Sequence, residues 1–130
     1  MTKEEIIKYW IEISDKDFEA IEHLYKNKHY HLSLFIGHLV VEKLLKALYV
    51  KNIDEEVPYV HNLLRIAELA KLDLSDEQKN FLNLVTTFNI QARYPDLKYS
   101  FYKKCTKELT EIQLDKIKKF RTWIKELLNK

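Results

Sequence analysis

The chain has one glycine, two prolines and one cysteine in 130 residues. A single glycine cannot build the glycine-rich phosphate loops or the nucleophile elbow, which excludes the commonest stand-alone nucleotide-hydrolysing architectures. No HExxH motif and no cysteine cluster is present either. So few turn-formers argue against a sheet protein, whose hairpins depend on them. The lone Cys105 rules out an internal disulfide and leaves a reducing cytoplasm as the expected compartment. No stretch reaches 18 consecutive apolar residues, so no membrane span is expected. MTKEEIIKYW carries acids where a secretory signal carries bases, so no export is indicated. Twenty-two basic against 20 acidic residues leave a net charge of +2, too little for a general nucleic-acid sponge. His29 and His31 alternate with no cysteine or carboxylate constellation nearby, a poor metal site. Neither a metal nor a cofactor is expected.

What is present is helical material: 46% hydrophobic and 32% charged residues, suiting a soluble all-α chain. Residues 1–130 are expected to form one domain, an up-and-down bundle of about five helices, four long and one short. The bundle is organised around Leu32 to Val50, LSLFIGHLVVEKLLKALYV. At a helical period its apolar side chains point nearly all the way round, which predicts a buried central helix. Thr2 with Glu5 predicts a capping box opening the first helix, which runs to about Tyr25 and packs through Ile6, Trp10, Ile13, Ala20, Ile21 and Leu24. Asp17 falls inside that apolar stripe, either hydrogen-bonded to a neighbouring helix or facing a pocket or a dimer seam. Residues 26–31 are a short connection, so the first two helices should pair antiparallel. An acidic loop, 51–60, leads to a short helix over His61–Lys71. Ser75 with Gln78 opens a fourth helix, and Thr106 opens the last. Between these two helices, Gln91–Tyr102 is read as a segment of different character, because Pro95 forbids an uninterrupted helix.

Two sets of residues have the composition of a site. His38, Glu42, Lys46 and Tyr49 stack on one stripe of the central helix. Glu42 and Lys46 are spaced for an ion pair and His38 lies within reach of Glu42, so the stripe could move protons. The plainer reading, which sequence favours, is a solvated or interfacial salt bridge on the helix's one outward edge. The second set is Arg93-Tyr94-Pro95-Asp96, with Lys98, Tyr99 and Tyr102 following. Arginine's planar fork suits phosphate and the tyrosines offer stacking surfaces for bases. Equally, Arg93 could pair with an acid on the central helix. His61 either caps its helix or reaches the same site.

The order Asp17-Phe18, Tyr30, Gly37-His38, Glu42-Lys43, Leu45-Lys46-Ala47, His61-Asn62-Leu63 and Ala92-Arg93-Tyr94-Pro95-Asp96 resembles the HEPN domain family over nearly the whole chain. The resemblance implies a helical bundle, usually a homodimer, often encoded beside a minimal nucleotidyltransferase in a toxin–antitoxin module. Many members are metal-independent endoribonucleases with an Arg, four to six residues, then His motif. Here positions 98, 99 and 100 are Lys98, Tyr99 and Ser100, and no histidine follows His61. The resemblance therefore points to a non-catalytic partner subunit, with Arg93, Tyr94, Asp96, Lys98, Glu42, Lys46 and His61 as candidate nucleotide or RNA contacts. The alternatives are a ribonuclease using Arg93 with His38 or His61, or with Tyr99 or Lys98 as substitutes, and a stand-alone nucleotide-binding domain.

Overall fold

The structure, a computed structural model describing all 130 residues, contains six helices and no strand. They are α1 (Lys3–Lys26), α2 (Tyr30–Asn52), α3 (Leu63–Leu69), α4 (Asp76–Arg93), α5 (Pro95–Lys104) and α6 (Lys107–Leu128). Side chains at N-termini set four of these boundaries. Thr2 and Glu5 form the capping box of α1, and Ser75 and Gln78 that of α4. Asn62 accepts from the Arg65 amide at α3, and Thr106 from the Leu109 amide at α6. Each such cap stabilises its helix by about 1 kcal/mol.

α2 packs against every other helix, and its apolar girth explains why. Leu34, Val40, Val41, Leu44, Leu45 and Val50 are all fully buried, so no face of its middle is left for water. α1 lies antiparallel to it: Trp10 meets Lys46 at one end, and Tyr25 meets Tyr30 at the other. Where the two helices cross, the buried Ser14 hydroxyl donates to the Val40 carbonyl at 2.9 Å. Of the two roles open to Asp17, the structure shows the bond to a neighbouring helix: its carboxylate accepts from Lys43 Nζ of α2. α6 runs parallel to α2, from Ile117 against Gly37 to Lys51, whose Nζ donates to the Leu127 and Leu128 carbonyls at 3.1 Å each. A Cβ on Gly37 would sit 2.6 Å from Ile117 Cδ1, so here the lone glycine permits close helix approach. Half-buried Asp15 closes the triangle of long helices, accepting from Arg121 at 3.0 Å and Lys125 at 2.9 Å.

The helix count is six, not about five. Pro95 does interrupt the chain, but it also starts a new helix at its first position, where its missing N–H would have had no partner anyway. Tyr94, in extended backbone, is the hinge between α4 and α5. The third helix is also shorter than the predicted His61–Lys71, because Asn62 rather than His61 is its cap. Two turns that commonly use glycine use lysine instead: Lys28 and Lys71 have φ of 64° and 60°.

Candidate functional site

The polar stripe of α2 is not an outward edge. His38, Glu42 and Lys46 have relative exposures of 0%, 5% and 8%, because the segment 60–63 and α1 close over that side. Burial forces the charges to find partners. Lys46 Nζ donates to Glu42 Oε2 at 2.9 Å and lies 5.4 Å from the Trp10 ring centroid. His61 Nδ1 donates to Glu42 Oε1 at 3.1 Å. His38 Nε2 donates to the His61 carbonyl at 3.2 Å, so its proton sits on that nitrogen, and its buried Nδ1 has no partner. Burial pushes the His38 pKa below its ordinary value; the Glu42 carboxylate and the His61 carbonyl oppose this without reversing it. His38 is thus a neutral imidazole clamping the backbone ahead of α3. His61 differs from it, since its side chain is 60% exposed while one ring nitrogen is anchored inward. Tyr49, fourth in the stripe, packs half-buried against the core.

The α4–α5 corner is built the opposite way. Arg93 ends α4 with its side chain exposed, and it makes no hydrogen bond or ion pair. It does not pair with an acid of α2, whose Glu42 is occupied by Lys46 and His61. Tyr94, Tyr99 and Tyr102 are all more than half exposed, and Asp96 and Lys98 are exposed beside them. Only Phe101 anchors α5 inward, stacking on Phe88 with ring centroids 5.8 Å apart. Lys103 Nζ lies 4.4 Å from the Tyr99 ring centroid, a cation–π contact open to solvent.

The candidates therefore fall into two groups. His38, Glu42, Lys46 and His61 come together in one hydrogen-bonded cluster, while Arg93, Tyr94, Asp96 and Lys98 form a separate surface with no polar bond to it. No group of three or more His, Cys, Asp or Glu side chains is arranged to hold a metal ion. The open clefts between α4 and α6, about 600 Å³, and between α1 and α6, about 430 Å³, are lined by none of these residues. A smaller cleft of about 300 Å³, lined by Lys28, Tyr30, His31, Tyr102, Lys103 and Cys105, adjoins α5. Sequence reading set His31 aside as a loop residue and did not single out Lys28. Their proximity to α5 depends on how α5 folds back across the start of α2, which no local spacing encodes.

No helix is long and apolar enough to cross a membrane. No curated protein and no solved structure matches the chain. A model of the HEPN domain matches residues 7–127, taking in both the α2 cluster and the α4–α5 corner, and the chain belongs to the HEPN domain family.

Proposed function

We propose that this HEPN chain is a non-catalytic subunit that dimerises through its helices, associates with a minimal nucleotidyltransferase in a toxin–antitoxin-like module, and offers the α4–α5 corner to nucleotide or RNA. One observation carries the site: Arg93 makes no ion pair or side-chain hydrogen bond within the protein and stands among exposed tyrosines, so its guanidinium is free for a phosphate. The non-catalytic part is supported by the sequence, which has no histidine beyond His61 to complete the family's ribonuclease motif. Size-exclusion chromatography of the chain mixed with its nucleotidyltransferase should give co-elution at micromolar concentration. Nucleotide or RNA should raise the melting temperature of wild type and leave Arg93→Ala unmoved, since a ligand selective for the folded state stabilises it by mass action. Separate elution, or equal shifts in both proteins, would count against the assignment.

A second reading, a metal-independent endoribonuclease, is favoured by the Glu42–His61 contact. A carboxylate holding Nδ1 leaves Nε2 to exchange protons, the arrangement of an oriented general base. His61 Nε2 would accept the 2′-hydroxyl proton as that oxygen attacks the adjacent phosphorus; a 2′,3′-cyclic phosphate forms and the 5′-oxygen leaves with a proton from solvent water. This reading requires RNA cleavage in EDTA that disappears in both His61→Ala and Arg93→Ala.

A further inference from the structure

We infer that the ligand of this face is single-stranded RNA, lying along α5 with one nucleotide seated in the cleft between α5 and the α1–α2 connection. The inference rests on the reading that the Arg93 corner binds a nucleic-acid ligand, and it extends that corner to Lys28 of the α1–α2 connection and His31 at the start of α2. The tyrosines select for single strands. Tyr94, Tyr99 and Tyr102 are 58%, 65% and 58% exposed, and a base can stack on such a ring only when its own faces are uncovered, which a duplex does not allow.

Charge marks the path. Arg93, Lys98, Lys103 and Lys104 follow one another through the corner and α5 with Asp96 as the one intervening acid, and none of the four is in an ion pair. The positive patch continues off the end of α5. Lys98 is close enough to help push the His31 pKa down, behind burial and ahead of His29, and exposed Lys28 lies across the cleft from Lys103. The opposite pole of α2, about 34 Å away along a helix of this length, leads into the acidic loop Asp54-Glu55-Glu56. Arg93, Lys98, Lys103 and Lys104 thus lie among the exposed Tyr94, Tyr99 and Tyr102, so cations and stacking surfaces share one face.

The cleft itself mixes the two chemistries a nucleotide needs. His31 and Tyr102 meet edge to face with centroids 5.1 Å apart, leaving Tyr102 a free face, while Lys28 and Lys103 supply cations. At about 300 Å³ it lies at the small end of ligand sites, room for one nucleotide rather than a folded RNA. His31, held neutral by its surroundings at pH 7, contributes ring surface and hydrogen bonding rather than charge.

The test is fluorescence anisotropy in EDTA with a short unstructured RNA, the same RNA annealed to its complement, and adenosine monophosphate as a competitor. Wild type should bind the single strand at least tenfold more tightly than the duplex. Tyr102→Ala should weaken binding about tenfold, the loss of one stacked base. Lys28→Ala and Lys98→Ala should each reduce the salt slope by about 0.7. Melting temperatures of these surface variants report whether folding is intact. If Arg93→Ala loses binding while Tyr102→Ala and Lys28→Ala bind as wild type, the inference is overturned and the Arg93 reading stands. If no variant changes binding, both fall; if wild type binds no RNA, the inference falls and the nucleotide thermal shift of wild type against Arg93→Ala decides the Arg93 reading. Equal affinity for duplex, or full displacement by the mononucleotide at the affinity of the oligonucleotide, also overturns it. So would loss of nucleotidyltransferase association in Tyr102→Ala with RNA binding unchanged, which would assign the face to the protein partner.

Discussion

The α2 cluster and the α4–α5 corner use similar side chains to opposite ends. In the cluster, Glu42 spends both carboxylate oxygens on Lys46 and His61, and His38 spends its proton on a backbone carbonyl. In the corner, Arg93 and Lys98 are exposed and Arg93 has no polar partner at all. Buried polar groups that find partners inside, all but His38 Nδ1, specify how α3 and α1 sit on the central helix; exposed ones without partners are available to something outside. The contrast separates residues whose loss should unfold the protein from residues whose loss should only silence it.

The largest effect should come from breaking the cluster. Removing one partner of a buried ion pair costs about 3–5 kcal/mol because the other charge is left stranded, so Glu42→Ala should lower the urea midpoint sharply. Arg93→Ala, measured beside it, should change stability by no more than about 0.5 kcal/mol. A double substitution of Glu42 and Lys46 by leucine should recover part of the loss, since no charge is then buried alone. Equal sensitivity of the two sites would erase the distinction.

Acid should weaken the cluster before it touches the corner. The native His38 pKa lies below its ordinary value of about 6.5, so between the two values the unfolded chain binds a proton that the folded chain does not. Stability is therefore complete above that window and falls as the pH drops through it. Denaturation midpoints at pH 7.5 and 5.5 should differ accordingly. His38→Gln should flatten the dependence, leaving the share owed to His31, whose pKa is also lowered by burial. An unchanged pH dependence in His38→Gln would remove His38 as the cause.

Two smaller changes sharpen the fold on which the comparison rests. Gly37→Ala gains up to about 1 kcal/mol of helix propensity but crowds Ile117, where overpacking costs about 1–3 kcal/mol. Net destabilisation is expected, and Gly37→Ala with Ile117→Val, which deletes the clashing methyl, should restore most of it. Lys71→Gly relieves a left-handed residue and should stabilise the protein by about 1 kcal/mol in thermal melts.

Much of this architecture was legible beforehand because its signals are local. Thr2 with Glu5, Ser75 with Gln78, and Thr106 fix helix starts through side chains within three residues of the amides they cap. The all-round apolarity of Leu32–Val50 announced the central helix for the same reason. What the sequence did not reveal depends on distant segments. His38, Glu42 and Lys46 look like a surface ladder on a helical wheel, and it takes α1 together with the return of residues 60–63 over α2 to bury them. α5 escaped notice because a helix held by one buried side chain, Phe101, has almost no apolar period to read. The pairing of His31 with Tyr102 joins residues far apart in sequence.

Whether this chain holds RNA without cutting it is decided by a time course of labelled single-stranded RNA with purified protein in EDTA, read both on denaturing and on native gels, for wild type, Arg93→Ala and His61→Ala. The RNA should stay intact throughout, shifted on native gels by wild type and His61→Ala but not by Arg93→Ala. RNA cut by wild type and spared by His61→Ala would contradict it, making the Glu42–His61 pair the working centre and this chain a nuclease.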